Sequence, residues 1–137
     1  MSRPEPSIVG EAGAAAIAAA RESIGDDVRT VAEYDADDYN LIYVAGWLRE
    51  RLGEEGVEET TRQLHGYVHL DFVERDLFGD LTPDAGEVRT NITRLEHATF
   101  VRYLVGDAGI FLSVEPDTDL TALCEAIDAA LESAGEE

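Results

Sequence analysis

Thr99-Phe100-Val101-Arg102-Tyr103-Leu104-Val105-Gly106-Asp107-Ala108-Gly109-Ile110-Phe111-Leu112-Ser113-Val114 is the stretch that decides how this chain folds. Thr99, Val101, Tyr103 and Val105 alternate with Phe100, Arg102 and Leu104. That period of two belongs to a strand, whose successive side chains point to opposite faces. Gly106-Asp107-Ala108-Gly109 breaks the apolar pattern with turn residues and residues 110–114 resume it, so the segment reads as a hairpin. A connection this short cannot join parallel neighbours, which need a crossover of about a dozen residues or more, so the strands are antiparallel.

Working upstream, residues 88–95 form a further strand, introduced by the turn residues Thr82-Pro83-Asp84-Ala85-Gly86. A second hairpin joins Val28–Tyr34 to Tyr39–Val44 across Asp35-Ala36-Asp37-Asp38. Residues 8–24 are alanine-rich and helical, with Ile8, Ala12, Ala16, Ile17, Ala20 and Ile24 near one stripe and Gly25 as the stop. Gly10 and Gly13 weaken its first turns, which places the firm part at 14–24. Residues 46–52 hold one helical turn ending at Gly53. Between 57 and 78, Val57, Thr61, Leu64, Val68 and Phe72 keep helical spacing, with Gly66 placed to break it and Gly79 to end it. The final helix is the clearest: Leu120, Leu123, Cys124, Ile127 and Leu131 recur at i, i+3, i+4, i+7 and i+11, with Asp117 or Thr118 as N-cap. The expected architecture is α+β, a five-stranded antiparallel sheet with helices on its faces, in the order α-β-β-α-β-β-β-α. It spans 1–137 as a single domain, with an ordered core of about 8–132 between frayed tails.

Three strings carry a resemblance. Tyr34-Asp35-Ala36-Asp37-Asp38-Tyr39, Glu74-Arg75-Asp76-Leu77-Phe78-Gly79-Asp80-Leu81 and Val105-Gly106-Asp107-Ala108-Gly109-Ile110 resemble a family of short haloarchaeal proteins of unknown function, over roughly residues 14–131. These are turns and core positions, so the resemblance implies no catalytic or binding residue. The element order is also similar to the roadblock/longin/profilin-like α/β sandwiches, a likeness of topology alone.

The charge is extreme. Ten basic residues, all of them arginine, face thirty Asp and Glu, for a formal net charge of −20 on 137 residues. At low salt such a surface repels itself. At molar salt the screening length falls to about 3 Å and the repulsion becomes local. With lysine absent, the composition points to the cytoplasm of a salt-accumulating halophile, its surface dressed in solvated salt cations. Direct nucleic-acid binding is disfavoured, since phosphates are held by Lys and Arg. Hydrophobic content of 45% argues for a packed core. One cysteine allows no internal disulfide. No apolar run reaches the roughly 18 residues of a membrane span, and no basic and apolar leader opens the chain. Asn91-Ile92-Thr93 is a glycosylation triplet in form, and reads as strand sequence.

No residue pattern announces a reaction: there is no Gly-rich phosphate loop, serine elbow or CxxC pair. His65 and His69 have the i, i+4 spacing of zinc-binding helices, but Gly66 stands where a metalloprotease carries its glutamate. His97 or an acidic loop would have to complete a metal set, and two histidines on an amphipathic helix are the plainer account. Asp35, Asp37 and Asp38 lack the order of a calcium loop and read as a turn. Cys124 lies within an apolar stripe and reads as core. Among the arginines Arg62, Arg75, Arg89, Arg94 and Arg102, most are expected to pair with surface carboxylates. Trp47, with Tyr43 and Tyr39, is the candidate aromatic patch, and core packing is the plainer role for at least two of the three.

The favoured reading is a non-enzymatic interaction or scaffold module, without a cofactor, that self-associates as a homodimer and meets a protein partner. Its candidate interface is Trp47 together with the edge-strand residues Arg89, Ile92 and Arg94. A small-ligand sensor and a metal-dependent enzyme built on His65 and His69 are the alternatives.

Overall fold

The computed structural model describes residues 6–135. Its elements are helix α1 (Gly10–Ile24), strands β1 (Val28–Tyr34) and β2 (Tyr39–Val44), helix α2 (Gly46–Leu81), strands β3 (Thr90–Arg94), β4 (Thr99–Val105) and β5 (Ala108–Val114), and helix α3 (Leu120–Gly135). The strands form one sheet in the order β2-β1-β5-β4-β3, and every neighbouring pair is antiparallel. This is the element order and the five-stranded antiparallel sheet that the sequence pattern predicts. The outermost tail residues, 1–5 and 136–137, lie outside the described residues.

Alternation sorts the side chains onto two faces. Val31, Val101, Tyr103, Ile110, Leu112 and Val114 point towards α1 and α3, where Ala16, Ile17, Ala20, Leu123 and Ile127 meet them. Ala32, Tyr34, Phe100 and Phe111 point the other way, towards Leu64, Val68 and Phe72 of α2. Near the middle of the β1–β2 pair, Val31 faces Tyr43 and Ala32 faces Leu41, so Ile42 is an extra residue. This bulge reverses the alternation of β2. Tyr39 and Leu41 therefore pack under α2, while Tyr43 packs with the α1/α3 core.

Several boundaries differ from those read from the sequence. Helix α1 starts at Gly10 because a side chain from the sheet caps it. The Glu33 carboxylate accepts hydrogen bonds from the backbone N–H of Ser7 (2.6 Å), Ile8 (2.6 Å) and Val9 (2.9 Å), and from Asn40 Nδ2 (2.7 Å). Gly13 is required rather than tolerated, since a β-carbon there would collide with Val9. Gly66 does not break α2; its single-residue cost is about 1 kcal/mol, and Leu64 and Val68 anchor the helix on either side of it. The break falls instead at Gly53, where the sequence reading ends the first helical turn; its φ of 74° and ψ of 164° redirect a short N-terminal arm, and the helix resumes beyond it. The β4–β5 turn is shorter than expected: Val105 pairs with Ala108, leaving Gly106 and Asp107 as the two turn residues. Gly106 takes a φ of 62° at the first of them. Gly109 belongs to the strand, and the Tyr34 ring lies where its side chain would be. Asp119, not Asp117 or Thr118, caps α3, its Oδ1 accepting from the Ala122 N–H at 3.0 Å. Residues 133–135 continue that helix rather than fraying.

Candidate interaction surface

β3 is an edge of the sheet, paired only with β4. Its register sets Ile92 against Val101 and Thr93 against Phe100, so Ile92 faces the α1/α3 side and Thr93 the α2 side. Arg89, Ile92 and Arg94 are exposed there, and neither arginine makes an ion pair with any described residue. The sheet thus brings these three predicted residues to one edge. Trp47 is elsewhere. It opens α2, is 44% exposed, and carries the Arg29 guanidinium over its ring at 4.9 Å. Arg29 Nη1 donates to His97 O (2.7 Å) and its Nε pairs with Glu115 Oε2 (3.1 Å), a latch that joins β1 to two loops. The aromatic patch does not form: the bulge sends Tyr43 beneath Arg21 (4.6 Å) and Tyr39 against the His65 ring (5.1 Å) on the opposite face.

Polar clamps tie helix α2 to the sheet beside the apolar contacts of Leu64, Val68 and Phe72. Asp71, 5% exposed, accepts a hydrogen bond from the Tyr34 hydroxyl (3.3 Å) on β1. It also accepts from Arg102 Nε (3.2 Å) and Nη2 (3.4 Å) on β4, and Arg102 Nη1 donates onward to Thr93 Oγ1 (2.8 Å) on β3. Burial, reinforced by the Asp71 charge, pushes the Tyr34 hydroxyl far above its ordinary pKa, so it stays a neutral donor. Further along α2, Arg75 Nη1 donates to Gly106 O in the β4–β5 turn (2.6 Å). Arg62 keeps to the surface, paired with Glu59 at 2.6 Å.

These clamps leave a second stripe of α2 in solvent. Tyr67, Leu70, Glu74, Leu77 and Leu81 follow a three-four-three-four spacing, the repeat by which one helix meets another. Tyr67 is 69% exposed and Leu81 64%, and Phe78 and Val73 add apolar surface beside them. Between this flank and Phe100 and Arg102 runs an open groove of about 250 Å³. The stripe was present in the sequence, but the stripe through Leu64 and Val68 competes with it, and only packing tells which one is buried.

The remaining candidates take local roles. His65 Nε2 donates to Asp35 O (2.9 Å), while His69 Nδ1 donates to Gly66 O (2.7 Å) one turn away. His97 is 92% exposed at the β3–β4 hairpin tip. Among the described residues, no three His, Cys, Asp or Glu side chains gather as a metal set. Asp35 Oδ1 accepts from the backbone N–H of Asp37 (2.9 Å) and Asp38 (2.8 Å), which closes the turn on itself. Cys124 packs at the edge of the α1/α3 core, and burial raises its thiol pKa despite the hydrogen bond with Tyr103, which lowers its reactivity. No described helix is long and apolar enough to cross a membrane.

The family model described as a domain of unknown function, DUF7522, matches residues 14–132. The chain belongs to that family. No curated protein matches the DUF7522 chain in sequence. Among solved structures it is similar to the gliding protein MglB of Thermus thermophilus, at 14% identity and a TM-score of 0.53 over 100% of both chains. It is also similar to the roadblock/LC7 domain of Streptomyces avermitilis, at 14% identity and a TM-score of 0.52 over 80% of this chain and 84% of that one. An MglB in a tetrameric arrangement matches at 15% identity and a TM-score of 0.53 over 98% of each chain. At such identities the likeness is one of fold, and the DUF7522 fold is roadblock-like.

Proposed function

We propose that this DUF7522 protein is a non-enzymatic interaction module that associates with a second copy of itself, offering the joined surface to a protein partner. One observation carries the reading: the free stripe of α2 borders a groove floored by Phe100 and Arg102 of β4, the strand next to the unpaired edge β3. An edge strand presents unused backbone donors and acceptors, and a three-four stripe that is apolar at every position but Glu74 is covered best by another helix. A two-fold arrangement supplies both from one partner. Charge favours the same occupant. Arg89 and Arg94 make no ion pair among the described residues of a molecule of net charge −20, so a second acidic copy complements that edge. The tetrameric arrangement of a fold neighbour is in keeping with association through this architecture.

Sedimentation equilibrium in molar KCl tests the proposal. The native chain is expected to dimerise at tens of micromolar. Leu77, 52% exposed, can be changed without disturbing the core. Leu77→Glu should weaken association about tenfold or more with an unchanged circular dichroism spectrum. A monomeric native protein, or a variant that dimerises equally well, would remove the self-association reading.

The setting we propose is the cytoplasm of a salt-accumulating halophile. Its support is the charge of −20 and the use of arginine alone as the basic residue. The midpoint of thermal unfolding should rise steadily from low salt to molar KCl as repulsion is screened. A midpoint indifferent to salt would defeat this assignment.

A further inference from the structure

We propose that the cleft between the N-terminal arm of α2 and the sheet binds a small, neutral, mostly apolar molecule that carries one hydrogen-bonding oxygen. The cleft exists because Gly53 turns the helix. Leu48 and Leu52 on the arm and Val57 and Leu64 beyond the turn roof a space of about 230 Å³, with Phe100 and Phe111 on the sheet side. That volume lies somewhat below the usual range for drug-sized ligands, about 300–1,000 Å³, and suits a molecule of roughly a dozen non-hydrogen atoms.

The floor is polar at one place. Strand register sets Thr30 on β1 and Phe100 on β4 on either side of Ser113 on the central strand β5. Ser113 is only 7% exposed and lines the cleft, and neither its hydroxyl nor that of Thr30 has a hydrogen-bond partner among the described residues. Ser113 Oγ opens into the cleft, so a ligand that displaces water there must give it a hydrogen bond or leave it unsatisfied. An apolar ligand with a single oxygen fits that demand, because its body covers the leucines while the oxygen reaches the two hydroxyls.

The rim settles the charge of the ligand. In a chain with thirty Asp and Glu, no residue lining the cleft is acidic, so a cation finds no counter-charge there. Arg29 is the single basic residue lining it; its charge is already paired with Glu115, its Nη1 donates to the His97 carbonyl and it lies over the Trp47 ring, although its buried Nε makes no hydrogen bond to a described residue. An anion would have to displace that latch against a net charge of −20. A neutral molecule meets neither obstacle.

Titration with 1-adamantanol, a rigid alcohol of about eleven non-hydrogen atoms, tests the proposal by calorimetry in molar KCl, with the fluorescence of the single Trp47 as a second readout. One-to-one binding with a Kd between about 10 µM and 1 mM is expected for a ligand of this size. Adamantane-1-carboxylate should bind at least about tenfold more weakly. Ser113→Ala should weaken the alcohol several-fold, and Thr60→Phe, placed on the exposed rim, should abolish binding by filling the mouth, with both variants checked for a native melt. Absence of saturable binding, binding unchanged in both folded variants, or equal affinity for the carboxylate would overturn the assignment.

Discussion

On one face of the sheet, α1 and α3 bury Val31, Leu112, Val114 and Leu123 completely, and the small residues Ala16 and Ala20 let the helices come close. On the other face, α2 is the longest element in the molecule, yet it buries only Val57, Val68 and Asp71, and Asp71 is charged. The first face is held by apolar area removed from water. The second adds to a smaller apolar cluster around Val68 and Phe111 a buried ion pair, a tyrosine hydroxyl and an arginine on a turn carbonyl, with a cleft beneath its arm and a mostly apolar stripe on its outer side. Helix length is therefore no measure of what a helix contributes to stability. The loosely covered face is the one equipped to exchange contacts, and regions of low packing supply the moving parts of proteins.

Core truncation should split the two faces most clearly. Leu112→Ala, under α1 and α3, should cost about 2–5 kcal/mol, whereas Val68→Ala, under α2, should cost about 1–2 kcal/mol, read from urea unfolding in molar KCl. Equal losses would mean that the two faces are packed alike.

The next effect concerns the cap that joins α1 to the sheet. Burial pushes the Glu33 carboxyl up, but the hydrogen bonds from Asn40 and from the N–H groups of Ser7, Val9 and Ile8 outweigh it and hold the pKa below the ordinary value. A folded-state pKa below the unfolded one contributes stability that is complete above the unfolded value and lost as pH falls through the folded value. Glu33→Gln should therefore cost about 1–3 kcal/mol at neutral pH, and the gap to the native protein should close in acid, in melts from about pH 7 to pH 3. A gap that persists unchanged into acid would show that the cap owes nothing to its charge.

The smallest effect lies on α2. A β-carbon at Gly66 would meet no atom. Gly66→Ala should stabilise the fold by about 0.5–1 kcal/mol through helix propensity alone. A loss of stability there would reveal contacts that the free flank of α2 is taken to lack.

Much of the architecture was open to reading because period is local. Thr99–Val105 alternates cleanly, the α3 stripe repeats without interruption, and short turn-rich links dictate antiparallel pairing. The placement of residues 88–95 at an edge followed from the turns before it, which brought Arg89, Ile92 and Arg94 to one side. Core packing of two of the three aromatics was legible, but that Tyr39 and Tyr43 pack on opposite faces was not, since one extra residue in β2 reverses every side chain beyond it. The second stripe of α2 was visible as spacing but not as exposure, because two apolar stripes on one helix look alike until one of them is packed.

Periodicity and turn chemistry alone thus decided the number of strands, their direction and the buried stripes of α1 and α3, all matters settled among residues a few positions apart. Tertiary structure alone decided where α1 begins, how α2 is held and where the cleft opens. The Glu33 carboxylate acts on Val9 24 residues away, and Tyr34 reaches Asp71 across 37. A strand that reads Val31-Ala32-Glu33-Tyr34 gives no sign that its glutamate will be buried, because the donors that make the burial tolerable arrive only when the helix start folds back over the sheet.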